Sequence, residues 1–313
     1  MTKIPVFVVH GFLESGKTRF VQETLEDEYF SGGERNLVIA CEEGMEEYDE
    51  ELLKASNTTL VVLEDKSELN EMFLTECQKK YKPTQIVLEY NCMWGMDYLR
   101  DMYMPKGWFV AQVITTVHAS TFDVYLKNMK SLFMEMAKDS DLIIFNRSTD
   151  DTPAASYKRN MRAVNPKAQI VFEKEDGSQL EFEEEMPFDL NADVIDIADI
   201  DYGIWYIDAM DHLEKYDGKT VRFTGMAYTG KRLPQGYFVP GRTAMTCCAD
   251  DTAFIGFLCK SAYVDRLKPR QWVTVTAKVT VEKRAEYSGE EGVVLHSTNI
   301  KSAKKPEEEL VYF

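Results

Sequence analysis

The sequence predicts an α/β domain with a mostly parallel sheet, followed by a small all-β barrel domain. In the first half, short runs of Val, Ile and Leu alternate with segments of helical length and period. A glycine-rich loop follows the first of these runs. Beyond residue 202, apolar and polar residues alternate between Gly and Pro turns, which is typical of half-buried strands.

Seven apolar runs in the first half predict strands buried on both faces, because they are nearly continuous in Val, Ile and Leu. They lie at residues 6–9, 36–40, 59–63, 85–89, 109–117, 142–145 and 169–172. The helical segments between them include residues 17–28, 67–81, 121–137 and 154–164. Strand and helix in alternation imply right-handed crossovers and a parallel sheet covered on both faces.

Composition suggests two domains joined by an acidic segment. We assign residues 1–175 to a nucleotide-binding domain and 176–202 to a solvated acidic linker that contains three consecutive glutamates. Residues 203–313 begin with a short helical stretch and continue with strands near 220–227, 253–260, 273–282 and 293–300. Five or so short strands in a hundred residues suit a small barrel of the OB type.

Charge and hydropathy exclude some classes of function. The formal net charge of −17 disfavours binding to the nucleic-acid backbone, because most of the surface would repel phosphate. The first apolar run breaks at His10 and Gly11, so we expect no membrane insertion and a cytoplasmic location. Six cysteines in 313 residues do not form a disulfide framework. The oligomeric state stays open, with a homodimer as one alternative.

The loop at residues 11–18 reads GFLESGKT and satisfies the pattern G-x-x-x-x-G-K-[ST]. An apolar run enters it and a helical segment leaves it, as in the P-loop NTPase fold, where backbone N–H groups wrap a phosphate. We expect Lys17 to reach the β- and γ-phosphates and the Thr18 hydroxyl to coordinate Mg²⁺. The residues of this segment predicted to bind the nucleotide are Gly11, Glu14, Ser15, Gly16, Lys17, Thr18 and Arg19.

Two carboxylates, each at the end of a predicted strand, complete the predicted catalytic set with Lys17 and Thr18. Glu89 can hold a Mg²⁺-bound water or orient the attacking water. The alternative interpretation is that Glu89 is an acid at the end of a strand that faces solvent and has no catalytic role. Glu42 can approach the metal from a switch segment, or it too is a solvated acid. No arginine finger can be assigned, so we expect slow hydrolysis. His10 and His118, also at strand ends, are interpreted as core or capping residues.

The segment Ile4-Pro5-Val6 and the loop after it resemble the CobW branch of the GTPase family that includes HypB and UreG. Four further segments are similar to motifs of that family: Cys41-Glu42-Glu43-Gly44 with Asp49 to its N-E-x-G switch, Val87-Leu88-Glu89 to its Walker B strand, Val117-His118-Ala119 with Phe122 to V-D-A-x-x-F, and Asn146-Arg147-Ser148-Thr149 to N-K-x-D. The resemblance implies Mg²⁺-dependent GTP hydrolysis, delivery of metal to enzymes, and contacts of Asn146 and Arg147 with the nucleotide.

The chain departs from the family pattern at several positions. Glu14 and Arg19 stand where the family has Gly and Thr, and no cysteine occurs near residues 61–69, where its C-x-C-C motif is expected. Thr149 occupies the place of the Asp that accepts two hydrogen bonds from guanine, and Asp150 and Asp151 follow it. GTP is therefore the expected nucleotide by resemblance, with ATP not excluded, and either of these aspartates can compensate if the loop is longer.

The second domain resembles the C-terminal domain of the YcgQ family, whose bacterial members usually occur with a membrane permease. The resemblance is carried by residues 216–221, 238–242, 245–250 and 271–273. Cys247 and Cys248 are the adjacent thiols of the chain and are candidate ligands for Zn²⁺ or another transition metal. Residues that can complete such a site are Asp250, Asp251, Cys259 and His296. The alternative is that both cysteines pack at a barrel corner.

Together these features predict a Mg²⁺-dependent GTP-binding and GTP-hydrolysing protein that acts in metal handling, like a metallochaperone. Its expected partners are the nucleotide and a metal-dependent client protein or transporter, and not nucleic acid. The alternative is an NTP-dependent regulator or assembly factor with no transition-metal role. A small-molecule kinase is a third possibility, and the lack of a recognisable acceptor-base motif counts against it.

Overall fold

The structure is a computed structural model and describes residues 3–42, 44–182, 186–230, 232–245 and 252–311. The chain divides into two compact units, Met1–Phe182 and Glu183–Phe313. Among the described residues, no helix has both the length and the apolar character needed to span a bilayer.

The first unit contains a seven-stranded sheet whose neighbouring strands are all parallel. Its strands are β1 (Ile4–Gly11), β2 (Asn36–Ala40), β3 (Thr58–Val62), β4 (Gln85–Asn91), β5 (Trp108–His118), β6 (Leu142–Asn146) and β7 (Gln169–Phe172). They are arranged in the order β3-β2-β4-β1-β5-β6-β7, so β1 lies at the centre between β4 and β5. The predicted parallel α/β domain is confirmed.

Helices connect these strands. They are α1 (Lys17–Glu26), α2 (Glu28–Ser31), α3 (Glu50–Ala55), α4 (Glu71–Tyr81), α5 (Met96–Arg100), α6 (Phe122–Asn128), α7 (Lys130–Lys138) and α8 (Ala154–Val164). Those within residues 17–31, 71–81, 122–138 and 154–164 lie where helical segments are predicted, whereas α3 and α5 are not among the named segments. Val21 and Leu25 of α1 pack on Val9, Val38 and Val87 of the central strands, which fixes the start of α1 against the sheet. The segment predicted as one helix over 121–137 is two helices, because the backbone leaves the helical region at Met129 (φ −134°, ψ 34°).

The second unit is built on a β-barrel. Its elements are β8 (Ile195–Asp196), α9 (Tyr202–Asp211), α10 (Leu213–Tyr216), β9 (Thr220–Tyr228), β10 (Tyr237–Met245), β11 (Thr252–Ile255), β12 (Leu258–Lys260), β13 (Trp272–Lys283), β14 (Glu291–Ser302) and β15 (Leu310–Val311). Five strands close in the order β9-β13-β14-β12-β10-β9. All of their contacts are antiparallel except the parallel pair β12 and β14. The predicted small barrel is confirmed.

Apolar side chains inside the acidic segment attach much of it to the two units. The boundary between the units falls at residues 182 and 183, within the segment 176–202 that composition assigns to a linker. The N–H of Leu180 donates a hydrogen bond to the end of β7 (2.8 Å). Phe188 and Ile195 are buried in the barrel core. Acidic residues surround these apolar side chains in the sequence. The average composition of the segment is therefore acidic, and it predicts a solvated linker where part of the segment is packed.

Candidate functional site

The loop that follows β1 lies at the carboxyl edge of the parallel sheet, beside its central strands. In open α/β sheets this edge is where ligands bind. Val9 of β1 pairs with Glu89 of β4, and His10 pairs with Thr115 of β5, so the ends of three strands meet at the loop. Helix α1 begins at Lys17 and directs the N–H groups of its first turn toward the same place.

Two glycines shape this loop because neighbouring atoms leave no room for a side chain. Gly16 has φ 90°, and a Cβ built on it would lie 2.7 Å from Nδ2 of Asn146. A Cβ on Gly11 would lie 2.4 Å from both Ser15 Oγ and the backbone oxygen of Thr116. The two glycines required by the sequence pattern are therefore required by the packing as well.

Lys17 is a buried cation held by two carbonyls of the loop and by one carboxylate. The residue is 4% exposed. Its Nζ donates to the carbonyl oxygens of Gly11 (3.2 Å) and Phe12 (2.9 Å) and forms an ion pair with the carboxylate of Glu42. Glu42 follows β2, so the switch-like segment after that strand contacts the loop directly. Lys17 and Glu42, predicted from the sequence as members of one site, are in contact.

Thr18 and Glu89 form the second contact of the site. Thr18 Oγ1 donates to Oε1 of Glu89 (2.9 Å), and Tyr48 OH donates to Oε2 of the same carboxylate. Glu89 is 3% exposed, and this burial raises the pKa of its carboxyl above the ordinary value although both hydroxyls and Lys17 oppose the shift. A solvent-facing Glu89 is therefore excluded. Tyr48 is a site residue that sequence analysis missed, and its place just before Asp49 in the switch-like segment was the available signal.

The segment after β6 holds the opposite side of the loop. Asn146 Nδ2 donates to the carbonyl of Ser15 (2.7 Å), and Arg147 Nη1 donates to the carbonyl of Glu14 (3.3 Å). Glu14 and Arg147 both have positive φ angles, 60° and 50°. The Glu14 carboxylate accepts from the backbone N–H of Met45 (2.9 Å), which links the loop to the switch-like segment. Asn146 and Arg147 thus support the loop through backbone carbonyls, and their predicted contacts with the nucleotide stay a prediction.

A pocket opens beside the loop, and two of its lining residues, Gly16 and Arg147, also line the cleft at Lys17 and Thr18. Arg19 lines it and is held by two carboxylates, Glu23 (2.8 Å) and Glu175 (3.1 Å). Arg19, predicted to contact nucleotide, therefore borders this pocket from the first turns of α1. The pocket adjoins the loop on the side of β6 and the segment after β7.

Comparison with known families matches both units. Residues 5–172 match the family described as CobW/HypB/UreG, nucleotide-binding domain. The chain belongs to the CobW/HypB/UreG family. Residues 172–313 match the DUF1980 C-terminal domain, which is the YcgQ-type domain under another name. No curated protein matches the chain.

Solved structures resemble this CobW/HypB/UreG family member at low identity. Zn(II)-bound YjiA GTPase from E. coli is 16% identical, with a TM-score of 0.43. The match covers 58% of this chain and 60% of the YjiA chain. The hydrogenase maturation factor HypB from Archaeoglobus fulgidus is 16% identical, with 57% and 84% covered and a TM-score of 0.41. The mitochondrial single-stranded DNA binding protein Rim1 from S. cerevisiae is 14% identical, with 28% and 97% covered and a TM-score of 0.19. At these scores the likenesses carry no argument about function.

The two histidines at the sheet edge have structural contacts. His10 is fully buried, and burial together with the charge of Lys17 lowers its pKa to about 3, so it is neutral at physiological pH. His118 stands at the Asp position of V-D-A-x-x-F, and its Nδ1 accepts from the backbone N–H of Ser120 (3.3 Å). His10 is thus a core residue and His118 a capping residue.

The structure does not support the additional metal ligands named for the second unit. Cys247 and Cys248, like Asp250 and Asp251, lie outside the described residues. Cys259 is buried in the barrel core, where burial raises its pKa to about 12. His296, one position beyond Leu295, the partner of Cys259, binds Glu282 through Nε2 (2.9 Å). Successive strand residues face opposite sides, so Cys259 and His296 do not share a site. Within the described ranges, no three His, Cys, Asp or Glu side chains cluster as a metal site.

The close packing at Gly16 leads to a stability prediction. In Gly16→Ala the new Cβ must force Asn146 away from Ser15, and the alanine must also adopt a positive φ. The clash should lower the free energy of unfolding by about 1–3 kcal/mol beyond the cost of the positive φ. Gly33→Ala is the matched control, because Gly33 has φ 79° and nothing within 4 Å of its built Cβ. That variant should lose only about 1–2 kcal/mol. Urea unfolding of the two full-length variants measures the difference, and equal losses would contradict the packing described here.

Proposed function

We propose that this CobW/HypB/UreG family member binds GTP with Mg²⁺ at residues 11–18, hydrolyses it slowly, and acts in metal handling. One observation carries the proposal: Lys17 and Thr18 of the glycine loop directly contact Glu42 and Glu89, two carboxylates from distant parts of the sequence. A cation, a hydroxyl and two carboxylates beside a helix N-terminus are the groups that phosphoryl transfer uses.

The residues present fit a magnesium ion. Mg²⁺ prefers oxygen ligands, and the Thr18 hydroxyl and Glu89 carboxylate already lie 2.9 Å apart. Thr18 would bind the ion directly, and Glu89 would bind it directly or through a water. When bound, Mg²⁺ neutralises charge that develops on the phosphates.

The chain's own residues supply positioning and charge. Lys17 offers a buried positive charge, which acts strongly because little water screens it. The N–H groups at the start of α1 bind phosphate oxygens. Glu89, buried and fixed by Tyr48 and Thr18, orients a water at the metal side. Arg19 is held by the carboxylates of Glu23 and Glu175, and Arg147 donates to the carbonyl of Glu14. Because both guanidinium groups have these partners, neither is assigned as an arginine finger, which is consistent with slow hydrolysis.

Metal handling is proposed from family membership, with Zn²⁺ or another transition metal bound at Cys247 and Cys248. A metal-dependent client protein or a transporter would be the partner in the cytoplasm, with the chain as a monomer or homodimer. One observation favours the alternative, an NTP-dependent regulator or assembly factor with no transition metal. No cysteine lies near residues 61–69, where the family's C-x-C-C motif is expected.

The phosphate site is tested by removing its cation. Lys17→Ala should weaken binding of a non-hydrolysable GTP analogue by about 10- to 100-fold, the value of a lost charged hydrogen bond, and should abolish hydrolysis. Calorimetry and phosphate release measure the two effects. Lys54→Ala is the control, because Lys54 is 75% exposed and pairs only with Glu50 on α3. If Lys17→Ala binds and hydrolyses like the parent, the loop is not the nucleotide site.

The metal role is tested on the full reduced chain. Wild type should retain about one Zn²⁺ per chain after dialysis, as measured by elemental analysis, and the double variant Cys247→Ser with Cys248→Ser should retain none. Cys77→Ser controls for the loss of a thiol, because Cys77 is buried in α4. Equal zinc in wild type and double variant would assign the two cysteines to packing. A zinc-free wild type would favour the regulator.

A further inference from the structure

The pocket beside the loop contains a carboxylate that the proposed phosphate site does not use. Glu173 follows β7 and lines this pocket together with Asn146 and Arg147. Its side chain is half-buried, and no hydrogen bond or ion pair of that carboxylate is found among the residues that the structure describes. Burial, followed by repulsion from Glu23, raises the pKa of Glu173 above its ordinary value. Its oxygens are not among the buried atoms without partners in the described residues, so they are accessible and a ligand that offers N–H groups can bind them.

The backbone holds Glu173 firmly against the segment that resembles N-K-x-D. Its N–H donates to the carbonyl of Phe145 (2.9 Å), and its carbonyl accepts from the N–H of Ser148 (2.7 Å). An isolated bridge to Gln179 closes the turn behind it. Glu173 is therefore fixed on both sides next to Asn146, the residue that joins this segment to the phosphate loop.

The carboxylates that the sequence offered as substitutes for the missing aspartate do not line this pocket. Thr149, Asp150 and Asp151 are absent from its lining. The Asp150 side chain is 86% exposed and pairs with Lys174 (2.9 Å). The expectation that Asp150 or Asp151 compensates is thus not supported by their placement.

Two other carboxylates do line the pocket, but both are engaged. Glu23 and Glu175 bind Arg19, and their side chains are 56% and 70% exposed. Among the carboxylates of this pocket, Glu173 alone combines burial with free acceptor oxygens in the described part of the chain.

The chemistry of the bases makes a carboxylate selective. Guanine presents two neighbouring donors, N1–H and the N2 amino group, and one carboxylate can accept from both. Adenine presents an acceptor at N1 beside its amino group, so the same carboxylate would face a lone pair. A threonine hydroxyl at position 149 offers a single oxygen and cannot make this pair of contacts.

We propose that Glu173 selects guanine in this protein, taking the role that the family assigns to the aspartate of N-K-x-D. This inference rests on the proposed function, because it requires the phosphates to occupy residues 11–18. The base would lie between Arg147 and Glu173, with its N1–H and amino group donating to the Glu173 carboxylate.

The test compares three non-hydrolysable triphosphate analogues, those of GTP, ATP and XTP, by calorimetry on the full chain with Mg²⁺. Wild type should bind the GTP analogue most tightly. Glu173→Gln should lose about 10- to 100-fold of that affinity, because its amide places a donor against the guanine amino group. The same variant should gain affinity for the XTP analogue, whose C2 carbonyl accepts from the glutamine amide. A gain of binding cannot arise from misfolding.

Asp150→Asn is the matched control, since it makes the same acid-to-amide change at an 86% exposed side chain that does not line the pocket, and it should keep the preference for guanine. If wild type prefers guanine and Glu173→Gln leaves all three affinities unchanged, the inference is overturned while the proposed function stands. A wild-type preference for ATP also overturns it. Wild type that binds no triphosphate would refute the proposed function itself.

Discussion

The buried ammonium group of Lys17 is the constraint on which the rest of the site depends. It donates hydrogen bonds to two backbone carbonyls of the loop and forms an ion pair with Glu42. A buried ammonium needs such compensation, because an uncompensated charge at 4% exposure would be strongly destabilising. A phosphate oxygen that binds Lys17 competes with these three groups. Glu42 is the one on a separate segment, so the cation couples the loop to the segment after β2.

The surrounding contacts fix the loop that carries Lys17 at the edge of the sheet. Gly16 lets the chain pass close to Asn146, whose amide holds the loop by the carbonyl of Ser15. Glu14 accepts from the N–H of Met45, so a second contact joins the loop to the segment after β2. A change at Lys17 therefore has two routes to residues 42–48, one ionic and one through the loop backbone. Such a segment, held by contacts that a ligand can replace, has the properties of a switch.

The features that could be predicted from the sequence are those that depend on local patterns of residues. Continuous apolar runs predicted the parallel sheet, and the spacing of Gly11, Gly16 and Lys17 predicted the loop and its position. The contact of Tyr48 with Glu89 joins residues 41 apart in the sequence. It depends on how the segment after β2 packs against β4, which cannot be predicted from a local pattern. The anchoring of Phe188 in the barrel core was hidden by the acids around it. Position 149 pointed to a lost base contact, but only the fold places Glu173 in that pocket.

The claim that ties these observations together is that Glu42 and a phosphate compete for Lys17. It is tested most directly by a crystal structure of the full chain with Mg²⁺ and a non-hydrolysable GTP analogue, in which the distance from Lys17 Nζ to the nearest oxygen of Glu42 is measured. The account predicts that a phosphate oxygen lies within hydrogen-bond distance of Nζ, roughly 2.7–3.2 Å, and that the Glu42 carboxylate has moved beyond the roughly 4 Å reach of an ion pair. A structure with the nucleotide bound in the loop and the Lys17–Glu42 pair intact, or with the nucleotide bound elsewhere, would contradict it.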